Sequence, residues 1–215
     1  MAEPIAFYFD FTSPYSYLAS EKIDAIAEKY GRQVQWRPVL LGAIFKALGT
    51  VSLVKHPGMA DYSERDFARS ARFMDVPYVQ PDNFPVSTVA AARAYYWLHG
   101  QDCALARRFA HAVFRAYFAE GRDISDVAVV LELGLKVGVT EGNPRGTDGM
   151  KCPEWGTALE SGMQDPAIKE RLRVENEAVL ALGAFGAPWI IVDGEPFWGA
   201  DRLPQIERWL EADGF

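Results

Sequence analysis

The chain has 215 residues, of which 49% are hydrophobic and 24% charged, and it carries a net charge of −7 at pH 7. A chain of this length buries about 70% of its extended surface on folding, so one domain is stable without a disulfide or a structural metal. The acidic balance argues against a nucleic-acid-binding protein, whose surface would carry a basic face.

The first forty residues predict a strand, a helix and a second strand. Residues 5–11 form an apolar run that is typical of a buried strand. A helix is expected over residues 14–30, because a proline opens it and Gly31 follows as a natural C-terminal cap. Residues 34–37 predict a second strand, which completes a βαβ unit.

Residues 40–182 carry almost entirely helical signals. Ser87 is expected to cap a helix, and Asp165 before Pro166 opens another that ends at Gly183. Residues 140–153 are rich in Gly, Asn and Pro and predict a loop. The predicted helices cover residues 89–97, 104–119, 127–137 and 166–182.

The C-terminal part predicts a hairpin and a last helix. Pro188 stands at the entry to an apolar strand over residues 189–192, where a missing N–H does little harm. The Asp193-Gly194 pair is a hairpin turn signal, and residues 196–198 predict the return strand. The final helix is expected over residues 201–210.

Ser13 lies at the junction between the first predicted strand and the first predicted helix. The N–H groups at a helix N-terminus favour negative charge, so a hydroxyl at this place can help to stabilise an anion. Serine before proline is also an ordinary helix cap. The residues alone leave both interpretations open.

Two distant motifs carry a family resemblance. They are FYFDFTSPYSYL at residues 7–18 and FGAP, VDGE and FWGADRL over residues 185–203. Together they resemble the branch of the thioredoxin fold that contains 2-hydroxychromene-2-carboxylate isomerases and kappa-class glutathione transferases, the serine relatives of the DsbA disulfide oxidoreductases. The resemblance implies an α/β, thioredoxin-like fold with a large inserted all-helical lobe. Residues 1–39 and 183–215 would form the thioredoxin-like domain, and residues 40–182 the inserted helical domain of a single compact unit.

The same resemblance implies a glutathione site. The Ser13 hydroxyl would donate a hydrogen bond to the sulfur of glutathione and favour its thiolate. The Ala187 backbone, before Pro188, would pair with the cysteinyl part, and the Asp201 carboxylate would face the α-amino group. Asp201 could instead merely cap the last helix. The other implied cofactor-binding residues are Trp198, Gly199 and Ala200.

Lys46 matches the position at which the isomerases carry a lysine near the substrate. A carboxylate-bearing substrate needs such a cation in an apolar pocket, although a lysine on a short helix is otherwise an ordinary solvated charge. Phe84 falls near the position at which the isomerases can present a tyrosine. The asparagine and arginine that some members carry after the Lys46 helix have no clear match, and Lys55 and His56 are the nearby candidates.

The leading hypothesis is a glutathione-dependent isomerase similar to 2-hydroxychromene-2-carboxylate isomerase, acting on a small aromatic carboxylate. A kappa-like glutathione transferase is the nearest alternative. A non-catalytic thioredoxin-like binding module, in which Ser13 is only a helix cap, is an alternative from another class. Disulfide exchange at this place is excluded, because Ser13 and Ser16 stand where it needs cysteines.

The remaining expectations concern partners and compartment. Cys103 and Cys152 lie far apart and form neither a redox motif nor a zinc ligand set, so no metal is expected. The sequence holds no run of 18 apolar residues and no basic-then-apolar start, which predicts a cytoplasmic protein without a membrane partner. The family resemblance implies a homodimer.

Overall fold

The structure, a computed structural model, describes residues 3–139 and 152–215. Within them a mixed sheet is formed by β1 (Ile5–Phe9), β2 (Val34–Pro38), β3 (Trp189–Val192) and β4 (Glu195–Trp198). The strand order is β2-β1-β3-β4, with β1 parallel to β2 and antiparallel to β3, which is antiparallel to β4. The predicted βαβ unit and C-terminal hairpin are confirmed.

The rest of the described chain is mainly helical. Two short helices connect β1 to β2, and a lobe of seven helices separates β2 from β3. A 3₁₀ turn, Leu53–Lys55, follows the third helix, and a second, Ala200–Arg202, precedes the last one. The helices are α1 (Pro14–Ser20), α2 (Ile23–Lys29), α3 (Leu41–Leu48), α4 (Ala60–Phe73), α5 (Val89–Gln101), α6 (Cys103–Phe118), α7 (Val127–Val139), α8 (Cys152–Gln164), α9 (Pro166–Ala181) and α10 (Leu203–Ala212).

The central strand β1 is packed on both faces. Alternate residues of a strand face opposite sides of the sheet. Phe9 accordingly packs against Phe114 of α6, with ring centroids 5.5 Å apart, whereas Tyr8 belongs to a smaller cluster on the other face that includes Trp189. The larger cluster runs without a break from β1 to Leu159 of α8. This packing fixes the end of β1, from which the residues leading to Ser13 continue.

The single helix expected over residues 14–30 is wrong, because the chain leaves the helical path after Ser20. The Ser20 hydroxyl donates to the Tyr17 carbonyl at 2.6 Å and competes with the Glu21 amide, whose bond to that carbonyl is 3.3 Å long. The Lys22 amide then bonds only three residues back, to Ala19. The result is two helices, α1 and α2, instead of one.

Three other boundaries differ from the expectations. β1 ends at Phe9, because the Ser13 amide turns back to the Asp10 carbonyl at 2.9 Å. Ser87 does not cap α5, which begins at Val89 after Thr88. Of the loop expected over residues 140–153, residues 140–151 lie outside the described part, and Cys152 already begins α8.

Asp165 is confirmed as the cap of α9. Its carboxylate accepts a hydrogen bond from the Ala167 amide at 2.8 Å, and Pro166 occupies the first turn. Proline suits this position because its missing N–H would have no helical partner there. In the described residues no helix is both long and apolar enough to cross a bilayer.

The break between α1 and α2 places Glu21 against α6. Its carboxylate accepts two hydrogen bonds from Arg115, at 3.0 and 2.7 Å, and His111 Nδ1 lies 3.6 Å away. Burial by itself would raise the pKa of Glu21, but His111 and Arg115 outweigh burial and lower the pKa to about 2. The pair therefore ties the first helix to the helical lobe.

We predict that Glu21→Gln lowers the free energy of unfolding at pH 7 by about 1 kcal/mol, because a half-buried charge pair is lost. The folded-state pKa of Glu21 is lowered, so this stabilisation is present above pH 4.5 and is lost as the pH falls towards about 2. Urea unfolding at pH 7 and at pH 3 should show the difference between wild type and variant shrinking at the lower pH. Glu170→Gln, in an exposed pair with Arg173, is the control and should cost less; a difference independent of pH would contradict the assignment.

Candidate functional site

A cavity of about 670 Å³ opens beside the end of β1. Its wall is built from the start of α1, from α3 with the following 3₁₀ turn, and from the segments around Pro85 and Ala187. Lys46 and Lys55 are the charged side chains that the described residues contribute to this wall, and they contribute no carboxylate. The pocket is therefore apolar and cationic on a chain whose net charge is −7.

Ser13 lines the cavity at the beginning of α1 and is only 4% exposed. Its Oγ accepts a hydrogen bond from the Ser16 amide at 3.1 Å, which makes it the N-terminal cap of the helix. The same hydroxyl donates to the Ala187 carbonyl at 2.9 Å. Ser13 therefore caps α1 and also lines the pocket.

The segment opposite Ser13 contains a cis peptide bond between Ala187 and Pro188. Ala187 lines the cavity, whereas Pro188 lies behind the wall, where its carbonyl accepts the Gly199 amide at 3.1 Å. The Ala187 carbonyl accepts the Ser13 hydroxyl and has a second lone pair, with which it can accept a hydrogen bond from a ligand.

Trp198 closes one side of the cavity. Its indole packs edge to face against Phe185, with ring centroids 4.7 Å apart, and lies against Gly186, where a Cβ atom would stand 2.6 Å from Nε1. Glycine is required at Gly186 for this close approach. The cavity wall includes Trp198 but does not extend to the next three residues, Gly199, Ala200 and Asp201.

Asp201 is exposed and pairs with its neighbour Arg202 at 2.8 Å. It does not cap α10, whose N-terminal cap position is Arg202 with no side-chain hydrogen bond. Burial, Asp66 and, more weakly, the charge of Asp201 raise the pKa of the Tyr15 phenol, which lines the cavity. The alternative in which Asp201 serves as a cap is wrong.

Both cations lie on the same side of the cavity. Lys46 stands in the last turn of α3, and Lys55 ends the 3₁₀ turn that follows. The sequence left Lys55 and His56 as open candidates, and the structure places Lys55 in the wall while His56 lies outside it. Both lysines are exposed, and their positive charges at the wall of the pocket favour an anionic ligand.

Aromatic side chains form the apolar part of the wall. Phe84 lines the cavity next to Phe67, with ring centroids 5.9 Å apart, and Phe45 of α3 lines it as well. Phe84 therefore belongs to the aromatic part of the cavity wall. Flat rings with apolar faces suit an aromatic ligand.

Asp10 is a residue of this region that the sequence analysis missed. Its carboxylate is 2% exposed and accepts hydrogen bonds from the Thr12 amide at 3.0 Å, the Thr88 hydroxyl at 2.6 Å and the Leu41 amide at 2.6 Å. Burial raises the pKa of Asp10, and these three donors oppose that effect. An aspartate inside the apolar run FYFDF was the available signal, because such a residue needs partners when it is buried.

Comparison with known proteins defines the class. The DsbA-like thioredoxin domain family matches residues 4–211, and the chain belongs to this family. The catalytic cysteines of disulfide exchange have no counterpart at the head of α1, where Ser13 and Ser16 stand. In the described residues no group of His, Cys, Asp and Glu side chains could hold a metal ion.

Individual relatives show which members of the family the chain resembles. The chain is 29% identical to 2-hydroxychromene-2-carboxylate isomerase of Pseudomonas putida, over 94% of this chain and 92% of the relative. It is also 29% identical to glutathione S-transferase kappa 1 of Caenorhabditis elegans, over 96% and 90% of the two chains. A solved structure of 2-hydroxychromene-2-carboxylate isomerase matches with a TM-score of 0.80 at 26% identity, covering 97% of this chain and 94% of the other. The predicted fold class and family resemblance are confirmed.

We predict that Ser13→Ala lowers the free energy of unfolding by about 2 kcal/mol, because it removes both a helix cap and a buried hydrogen bond to Ala187. Asp165→Ala, which removes only the cap of α9, is the matched control and should cost about 1 kcal/mol. Chemical denaturation of the three proteins gives the comparison. A Ser13 variant no less stable than the control variant would show that the bond to Ala187 contributes nothing.

Proposed function

We propose that the protein is a glutathione-dependent isomerase that acts on a conjugated aromatic carboxylate. The observation that carries the proposal is the position of Ser13, whose hydroxyl stands at the head of α1 in the wall of the cationic, aromatic pocket. The relatives named as isomerases, which match nearly the whole chain, support the same class of reaction.

The pocket residues, together with Asp201 outside the cavity wall, suit glutathione, an anionic peptide with a thiol. The cavity volume of about 670 Å³ lies within the range of small-molecule sites. Ser13 offers a hydroxyl for the sulfur, Lys55 a cation for a carboxylate, and Asp201 an exposed acceptor for the α-amino group. The backbone around the Ala187–Pro188 bond would hold the cysteinyl part, and Trp198, Gly199 and Ala200 the γ-glutamyl end.

The free energy that such a site must supply is modest. A free thiol with a pKa near 8.5 is about 3% ionised at pH 7, and lowering the pKa by about two units makes it roughly three-quarters ionised. That change corresponds to about 2.7 kcal/mol of preference for the thiolate. A hydrogen bond from Ser13 to a charged sulfur is worth about 1.5–3 kcal/mol, and giving up the neutral bond to Ala187 offsets about 0.5–1.5 kcal/mol of it.

The helix end contributes less than a free helix end would. Pro14 has no N–H, and the Ser16 amide already donates to Ser13 Oγ, so two of the N–H groups that a free helix end would offer to a ligand are lost. The positive charges of Lys46 and Lys55 favour a thiolate in the same pocket. Ser13 and the two lysines together are the proposed means of thiolate stabilisation.

Bound glutathione supplies a thiolate that adds reversibly to the substrate, permits rotation about the former double bond and leaves again. The chain's residues position the reactants for this reaction. Ser13 turns its proton from the Ala187 carbonyl towards the sulfur, and Lys46 orients the substrate carboxylate. Phe84 and the neighbouring rings pack against the aromatic part and exclude water.

A kappa-like glutathione transferase is the second candidate, and it is favoured by the 29% identity to glutathione S-transferase kappa 1 of Caenorhabditis elegans. In that reaction glutathione stays attached to an electrophile and is consumed. We also propose, on the family resemblance alone, that the protein is a cytoplasmic homodimer. A single-subunit mass from light scattering would contradict the dimer.

The first test of the proposal is the thiol pKa of bound glutathione, followed by thiolate ultraviolet absorbance against pH. We expect the wild type to lower this pKa by about two units from the free value, and Ser13→Ala to return it by at least about one unit. Asp165→Ala removes the cap of α9, which is not part of the cavity wall, and should keep the wild-type pKa. Binding without any shift in the wild type would favour a non-catalytic binding module instead.

The second test separates the two enzymatic reactions and probes Lys46. With a conjugated aromatic carboxylate as substrate, the total glutathione should stay constant during turnover, and its stoichiometric loss would favour the transferase. Lys46→Met should raise KM about tenfold or more, because a charge-assisted hydrogen bond is lost. Lys169→Met, an exposed lysine of α9, should leave KM unchanged, and equal effects of the two variants would contradict the role of Lys46.

A further inference from the structure

We propose that Asp10 is a positioning residue for the Ser13 site, because its buried carboxylate holds together three of the segments that form the pocket around Ser13. This inference rests on the proposed function, since it assigns a part in that function to a residue outside the cavity wall. Asp10 itself touches no ligand site and acts only through its neighbours.

The three donors that bind Asp10 come from separate parts of the chain. Thr12 immediately precedes Ser13, and its amide donates to Oδ1 at 3.0 Å. The Leu41 amide donates to Oδ2 at 2.6 Å and begins α3, the helix that carries Lys46. The Thr88 hydroxyl donates to Oδ1 at 2.6 Å and stands just before α5, after the segment that carries Phe84.

Two further bonds connect the same segments. The Asp10 carbonyl accepts the Ser13 amide at 2.9 Å, which closes the turn between β1 and α1. The Thr12 hydroxyl accepts the Val86 amide at 3.1 Å, which ties this turn to the Phe84 segment a second time. The turn of residues 10–13 is thus held by both side-chain and backbone hydrogen bonds, and these bonds determine where the Ser13 hydroxyl lies.

The donors of Asp10 require a carboxylate with two accepting oxygens. The Thr12 and Leu41 amides can only donate, and they bind different oxygens of the same group. Asparagine has one side-chain oxygen and one NH₂ group. In Asp10→Asn the oxygen can accept from one of the two backbone amides, but the NH₂ group, itself a donor, must then lie against the other amide. The substitution keeps the size of the side chain and removes the connection between the Ser13 turn and α3.

Asn176 provides a matched control because it holds the same end of α3 without touching the Ser13 turn. Its side-chain oxygen accepts the Leu40 amide at 2.8 Å, and its NH₂ group donates to the Leu172 carbonyl at 2.6 Å. Asn176→Leu therefore weakens the start of α3 and reduces stability while it leaves the bonds of residues 10–13 in place. Thr88→Val is a milder variant of the site, because it removes one donor and keeps both amide bonds.

The experiment compares the wild type, Asp10→Asn, Thr88→Val and Asn176→Leu by three measurements: thermal unfolding, hydrogen exchange of residues 12–17 in the free protein, and the thiol pKa of bound glutathione. For Asp10→Asn we expect at least tenfold faster exchange of residues 12–17 and a bound-thiol pKa at least about one unit above that of the wild type. Thr88→Val should move both quantities in the same direction by less. Asn176→Leu should lower the melting temperature and change neither.

A bound-thiol pKa that stays at the wild-type value in Asp10→Asn, or that rises equally in Asn176→Leu, would overturn the positioning role and leave Asp10 as a structural residue. If Asp10→Asn does not fold, Thr88→Val decides, and an unchanged pKa and exchange rate in that variant overturn the proposal. A wild-type protein that leaves the glutathione thiol unshifted overturns the proposed function instead. In that case the exchange rates of the free protein still test whether Asp10 holds the Ser13 turn.

Discussion

The site depends on one hydrogen bond, from the Ser13 hydroxyl to the Ala187 carbonyl at 2.9 Å, which joins residues 174 positions apart in the chain. It connects the turn between β1 and α1 to the cis bond before β3, the two segments that carry the family motifs. A hydroxyl has one proton, so Ser13 cannot donate to Ala187 and to a thiolate at once. When a thiolate binds at Ser13, the hydroxyl must therefore exchange the Ala187 carbonyl for the sulfur as its acceptor. The hydrogen bond from the Ser16 amide keeps Ser13 Oγ in place during this exchange.

The distribution of charge is the second property on which the proposed site depends. The chain is acidic overall, yet Lys46 and Lys55 are the charged groups that the described residues bring to the pocket wall, which Phe84 also lines. On the proposed function, this one pair of charges serves two purposes, because it favours a carboxylate ligand and a thiolate in the same cavity.

The sequence predicts those parts of this arrangement that depend on local geometry. Ser13 before a proline marks a helix start, and Asp193-Gly194 between apolar runs marks a hairpin, because each conformation is specified by adjacent residues. The break after Ser20 was not predicted, since it results from a side chain that competes for a helical carbonyl. The partners of Asp10 lie 31 and 78 positions away at Leu41 and Thr88, and no local pattern relates them. The same reason explains why Lys55 was distinguished from His56 only once the chain was folded.

The central claim is that the Ser13 hydroxyl exchanges its acceptor from the Ala187 carbonyl to the sulfur of glutathione. The most direct test is a crystal structure of the protein with glutathione at neutral pH. We expect the glutathione sulfur within hydrogen-bond distance of Ser13 Oγ, with the separation between Ser13 Oγ and the Ala187 oxygen longer than the present 2.9 Å. A sulfur bound elsewhere in the cavity, with the bond from Ser13 to Ala187 intact, would contradict the claim.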